Sequence, residues 1–427
     1  MKKKTLTPQL QKTQKQLDAI SVNFKQAMQA GDFRRAMQEA VRAHKLIPKS
    51  VVPLSDAATA AAKGGMWAEC IQYAKKALQR NPEHINSLDA LAHAYGAMHD
   101  WERCGHYGRQ ALQLRDAAIL AAQPVLPDLS APKPQQGGKK IIAFSLFGAK
   151  SEYIEPAVIN TELAARIYPG WTCRFYVDGS VPEAALQRFR DNGAEVVRVD
   201  AALESWPGTM WRFLALDDTE AARVIFRDAD SVISQREAKA VQAWEAGGKL
   251  FHTLRDAGTH TELILAGLWG AVAGAVPDIR GKIETYLQKP LPSRHFADQF
   301  FLRENVWPYV RQSLCAHDRI FGFLGAELFP DQAPFDYERF HVGCNEGNSH
   351  FQAALAMPDG TRVLWRLFSR VAPLVNEDYS YNLQNEREIC AYETTVQNGQ
   401  IGGLIPRRYS QGVAQGLSRV TVAKLDG

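Results

Sequence analysis

Phe33, Trp67 and Trp101 stand 34 residues apart, each just after a turn-like pair: Gly31-Asp32, Gly65-Met66 and His99-Asp100. A constant period of this length constrains a chain more than its composition does, because self-similar copies must stack into a one-dimensional array. Other positions keep the same step: Ala36, Cys70 and Cys104; Ala43, Ala77 and Ala111; Pro48 and Pro82, with Asp116 in the third slot. Small residues at fixed helical offsets let paired helices approach closely, and a proline stops the second helix of each pair. The pattern predicts an all-α solenoid over residues 1–122. Its concave face would be either a docking surface for a protein partner or a second copy, or a scaffold packed on the rest of the chain.

Residues 123–138, QPVLPDLSAPKPQQGG, have the proline, glycine and glutamine content of a linker. Beyond it the rhythm changes. IIAFSLFG (141–148), CRFYVDG (173–179), AEVVRVD (194–200) and ARVIFRDAD (222–230) read as buried strands, with helical stretches around 155–167, 182–191 and 207–217 between them. Strands alternating with helices predict a mainly parallel, Rossmann-like sheet over 139–345. More helix is expected at 235–246, 277–288 and 296–312. The remainder, 346–427, reads as a partly β extension.

The stretch VIFRDADSVIS (224–234) ends an apolar strand with two like charges, Asp228 and Asp230. Residues i and i+2 of an extended backbone point the same way, so both carboxylates can face one cation. Mg²⁺ or Mn²⁺ commonly takes one or two protein carboxylates and completes its shell with phosphate oxygens and water. The competing reading is a pair of solvated turn residues.

The repeats resemble tetratricopeptide repeats over about residues 17–116, with Ala58 and Ala92 at a position that family keeps small and Phe24 departing from it in the first copy. The run GTMWRFLALDDTEAARVIFRDADS resembles the D-x-D region of GT-A glycosyltransferases, nearest the retaining glycogenin- and galactosyltransferase-like branch. That resemblance spans about 139–345. It implies a metal-dependent enzyme that moves a hexose from a nucleotide-diphosphate sugar (a UDP- or GDP-sugar) to a glycan, lipid-linked or protein acceptor. Asp228 and Asp230 take the metal positions in it. Arg212 takes the helix arginine, HFADQFFL places Asp298 and Gln299 near the sugar, and ILAGLWG brings the backbone at Gly267 to the donor. ERFHVG offers His341 as third metal ligand, with His317 as its rival. The loop SLFGAKSEY offers Phe147 or Tyr153 to stack on a base, and Asp178 would reach base or ribose.

Each assignment has a plainer alternative. Arg212 could pair with Asp217 or Asp218 on its own helix, and Asp298 could cap a surface helix. His252, Arg255, Asp256 and His260 in FHTLRDAGTH could bind a sugar or acceptor, or lie in a solvated loop. A retaining reaction needs no general base; an inverting one could use Asp298 or Asp318. Two other functions remain open. One is an interaction protein whose α/β domain binds nucleotide sugar without turnover. The other is a nucleotidyltransferase, against which stands the lack of a basic glycine-rich loop after the first strand.

A formal charge of +4 is too small and dispersed to suggest nucleic acid. No apolar run reaches the roughly 18–20 residues of a membrane helix, and the polar TLTPQLQKTQKQ after MKKK is not a secretory leader. The six cysteines form no C-x-x-C pair. A reducing cytoplasm fits, with peripheral attachment to an inner membrane compatible.

Overall fold

Among the described residues, six helices occupy the repeat region of the structure, a computed structural model: α1 (Pro8–Gln29), α2 (Phe33–Leu46), α3 (Val52–Lys63), α4 (Trp67–Leu78), α5 (Ile85–Ala97) and α6 (Trp101–Ala122). Residues 8–129, 137–291, 293–331, 341–376, 378 and 380–425 are described, so 130–136 of the linker lie outside. Each helix packs on its sequence neighbours, and Ala36, Cys70, Cys104, Ala77 and Ala111 are fully buried between them. The period is visible in the backbone too. Gly31, Gly65 and His99, one repeat apart, all adopt positive φ (73°, 66° and 59°), which reverses the chain between paired helices. Asp32 and Asp100 then cap the next helix by accepting from Arg35 N and Arg103 N. Where the third repeat has Asp116 instead of proline, nothing stops α6, and it runs for 22 residues.

Residues up to Val125 form one compact unit, but not alone: Arg255–Leu263 and Asp318–Glu327 belong to it as well. Arg115 of α6, buried, forks onto Asp89 of α5 at 2.9 and 2.7 Å and reaches Glu262 at 3.3 Å. Arg109 donates to the carbonyl of Phe321. Both segments lie within the stretch expected from sequence to belong wholly to the α/β part.

The second unit is the α/β part. It runs β1 (Lys139–Leu146), α7 (Ser151–Ile167), β2 (Trp171–Val177), α8 (Glu183–Asp191), β3 (Glu195–Arg198), α9 (Ala201–Glu204), a 3-10 segment Gly208–Asp217 and β4 (Ala221–Phe226). There follow α10 (Gln235–Ala246), β5 (Phe251–Arg255), β6 (Trp269–Val272), α11 (Ile279–Leu287), α12 (Ala297–Phe301), a π-turn, α13 (Trp307–Val310) and β7 (Leu314–Asp318). The seven strands form one sheet in the order β3-β2-β1-β4-β6-β5-β7. β3, β2, β1 and β4 are parallel, while β6 runs antiparallel to β4 and β5. Its centre is apolar: Ile141, Ile142, Phe144, Val224, Ile225 and Phe226 are fully buried, and Phe226 stacks on Trp269 at 4.4 Å.

Two expectations change. Residues 208–217 wind as a 3-10 helix rather than an α-helix: six of the ten are buried, on every side of the segment, so no solvent face sets a 3.6-residue period. Residues 251–255, expected as part of a loop cluster, are a strand buried throughout.

The tail is more regular than its sequence suggests. β8 (Ser349–Ala354) pairs with β11 (Gln400–Ile405), and β9 (Arg362–Val375) lies between β10 (Tyr381–Thr395) and β12 (Ser418–Lys424), all antiparallel, with α14 (Arg407–Ala414) alongside. It is anchored to α7 by an ion pair and a hydrogen bond. Arg387 of β10 forks onto Glu162 at 2.8 and 2.7 Å, and Tyr392 donates to Glu155 at 2.6 Å. Among the described residues no helix is long and apolar enough to cross a membrane.

Candidate functional site

From β1 the chain moves to β2 and β3 on one side of the sheet, then returns to β4 on the other. The loops leaving the carboxyl ends of β1 and β4 therefore diverge, and the crevice between them is where open α/β sheets bind ligands. Phe147 leaves β1 there; Asp228, Ala229 and Asp230 leave β4. A cavity of about 370 Å³ opens at this point. Phe147, Tyr153, Arg212, Asp228, Asp230, Asp298 and Gln299, each singled out from sequence, all line it.

Arg212 organises the floor. It is 2% exposed and donates to Asp228 Oδ1 at 2.6 Å, the Arg227 carbonyl at 2.7 Å and Asp298 Oδ2 at 3.2 Å. Its own N–H donates to Ser145 Oγ at 3.0 Å, fixing the 3-10 segment to β1. It does not pair with its neighbours: Asp217 accepts from Ile279 N and Arg280 N, and Asp218 pairs with Arg174. Burial disfavours the guanidinium charge, but the carboxylates of Asp228 and Asp298 outweigh it and hold its pKa above the ordinary value.

The acids respond differently. Burial, then the nearby charge of Asp228, pushes Asp230 up to about 6. Burial also raises Asp298, against the pull of Arg212. Three carboxylates thus share a pocket with one buried arginine. Gly267 crowds this group: a Cβ there would fall 2.1 Å from Asp228 Oδ2, so only glycine admits the carboxylate. Gln299 holds that backbone in place, accepting from Ala266 N and donating to the Ile264 carbonyl, both at 2.7 Å. Phe147 and Phe296, 45% and 53% exposed, are aromatic members of the lining.

Four candidates fall elsewhere. Asp178 does not line the cavity; it accepts from Ser180 N at 3.0 Å, and Ser180 Oγ accepts from Gly148 N at 2.6 Å, so it braces the loop after β1. His341 lines a different, smaller cavity with Ile233, Arg236 and Glu346. His317 sits on β7 against His252 at 2.9 Å. Asp318, considered as a base, accepts from Ile320 N and Phe321 N and caps a turn. The cluster in FHTLRDAGTH is not a solvated loop, since His252, Arg255, Asp256 and His260 are all buried.

The segment that carries His341 reaches the aspartates through another residue. Asn345 Nδ2 donates to Asp230 Oδ2 at 2.6 Å, and Glu346 N donates to the Asp230 carbonyl at 2.7 Å. A single asparagine in a polar loop carries no periodicity or spacing signal, so the sequence gives no reason to single it out. His295 and Phe296, also in the lining, were adjacent to the Asp-Gln segment and were legible only as its flank.

No protein-family model matches the chain, and no curated protein matches it in sequence. Among solved structures, the TPR2B domain of yeast Sti1 in a pHsp70 complex is similar at 19% identity, covering 25% of this chain and 86% of that one, TM-score 0.24. The Sgt2 TPR domain from Aspergillus fumigatus gives 16% identity, 29% and 93% coverage, TM-score 0.22. A mutant O-GlcNAc transferase from Thermobaculum terrenum gives 14% identity, 52% and 47% coverage, TM-score 0.29. Likenesses of this size carry no argument about activity. The chain's own architecture stands independently of them: a helical repeat region followed by an α/β domain with a mixed, mostly parallel sheet.

Proposed function

We propose that this chain is a metal-dependent glycosyltransferase of GT-A type, which moves a hexose from a nucleotide-diphosphate sugar to a glycan, lipid-linked or protein acceptor. The observation that carries the reading is the convergence of Asp228, Asp230, Asp298 and buried Arg212 in one cavity at the sheet's switch point.

Asp228 and Asp230 fit a hard divalent cation, Mn²⁺ or Mg²⁺. Asp228 has a half-exposed carboxylate facing the cavity, and burial, then the charge of Asp228, holds Asp230 at about 6, a penalty that a cation would relieve. Such an ion would neutralise charge on the departing diphosphate. The remaining work belongs to side chains. Arg212 locks Asp228 and Asp298 in one arrangement, so neither must reorganise when charge develops. Gln299 sets the backbone over which the sugar would lie, and Phe147 or Phe296 offers a face for the base. Asp298 is the acid nearest the sugar in this reading. The repeats suit a protein partner or a long acceptor.

The test is a donor-hydrolysis screen with UDP-, GDP- and CMP-sugars, with and without Mn²⁺. Asp228→Asn/Asp230→Asn should abolish metal-dependent release of the sugar. Undiminished release in that variant, or none from any donor with the wild type, rejects the proposal.

A further inference from the structure

β5 and β7 are neighbours at one edge of the sheet. Alternate residues of a strand share a face, so Cys315 and His317 project together from β7, and His252 of β5 meets them. His252 Nε2 and His317 Nδ1 lie 2.9 Å apart, and one nitrogen or sulfur from each of the three residues lies within 4.8 Å of the others. Both histidines are fully buried, while Cys315 is half-buried and in no disulfide. The rings are fixed by packing: Trp244 of α10 lies parallel to His252 at 5.5 Å, and Phe329 flanks His317 at 6.0 Å.

Apolar packing does not call for this group. Two buried imidazoles must be desolvated, and His252 Nδ1 has no hydrogen-bond partner among the described residues, a loss that an aliphatic pair would avoid. Metal ligation does call for it: two imidazole nitrogens and a thiol sulfur converge within 4.8 Å of one another, a donor set that suits a borderline divalent cation. Two nitrogens bound tetrahedrally at roughly 2.0–2.1 Å would sit about 3.3 Å apart, so the pair need open by only about 0.4 Å.

We propose that His252, Cys315 and His317 form a zinc site, with one thiolate and two imidazoles as ligands, that cross-links the edge strands β5 and β7. Borderline and soft donors of this kind select zinc over Mg²⁺ or Mn²⁺. Binding replaces the hydrogen bond between the imidazoles: the ring that donated it moves its proton to its other nitrogen, and the Cys315 thiol releases its proton to solvent. The site shares no residue with the aspartate cavity and does not depend on the glycosyltransferase reading.

The test uses the full chain, reduced and stripped with a chelator, then titrated with Co²⁺ and back-titrated with Zn²⁺. Wild type should bind one Co²⁺ with a thiolate-to-cobalt absorption band, lose the band stoichiometrically to Zn²⁺, and melt higher with Zn²⁺. Since losing even an outer-shell partner costs 10–100-fold, Cys315→Ser and His317→Gln should each weaken binding at least about a hundredfold. The metal-free melting of Cys315→Ser reports whether that variant folds, and His317→Gln keeps the thiol. Asp228→Asn/Asp230→Asn should retain the band. Absence of the band in wild type, or its survival in Cys315→Ser, overturns the proposal.

Discussion

Asp230→Asn should make the metal-free protein more stable while removing its response to Mn²⁺. The folded protein holds the Asp230 carboxyl near 6 against an ordinary value of 3.8, through burial and the charge of Asp228. A shift of that size on a fully buried group corresponds to about 3 kcal/mol. Asp230 is only half-buried, and solvent screening reduces the expectation to about 1 kcal/mol. The sign follows from linkage. Between 3.8 and about 6 the folded state holds a proton that the unfolded state has released, so stability falls as pH rises through this window. Asparagine carries no charge, so the advantage of the variant over wild type should be near zero at the acid end, grow across the window and level off above it. Its side-chain oxygen can still accept from Asn345. Urea denaturation of the chelated proteins at several pH values measures the gap, and repeating the series with Mn²⁺ should reverse the order, because only wild type gains a ligand. A variant that is less stable than wild type without metal, or a gap independent of pH, would refute the reasoning.

Arg212→Ala leaves buried Asp298 without its charge partner and should cost about 3 kcal/mol in chemical denaturation; Arg212→Lys should recover part of the stability but not donor hydrolysis, since one ammonium cannot bridge both acids. Asn345→Ala should weaken Mn²⁺ binding about tenfold by isothermal titration, whereas His341→Ala should leave it unchanged. Arg115→Ala should destabilise the repeat unit by about 2–3 kcal/mol and expose the segment around Glu262 to limited proteolysis.

What could be read in the sequence was whatever repeats or alternates. The 34-residue step located the helices because small residues must recur wherever helices touch, and even the left-handed turn survives at His99 after glycine is lost. The strand ahead of Asp228 was visible because a buried parallel strand is apolar on both faces. Pairings were not visible. Nothing local tells Arg212 to reach Asp298, 86 residues away, rather than Asp217 on its own segment; the choice is made by the 3-10 winding and by Ser145 holding its backbone. β5 was hidden because FHTLR carries histidine and arginine, which read as solvated until the sheet supplies His317 beside His252. The same limit applies to His341. The family resemblance offered it as a third metal ligand, but it lines another cavity, and four residues later the bridge between Ser231 and Asn345 brings a different side chain to Asp230. If Asn345 supports the metal, the tail beyond it is part of the site rather than an appendage, because Glu346 continues from it into a buried ion pair with Arg408 of α14. Arg408→Ala, far along the chain from Gln299, the last residue in sequence that lines the aspartate cavity, should then reduce Mn²⁺ affinity as well as stability; a loss of stability with Mn²⁺ affinity unchanged would separate the tail from the site.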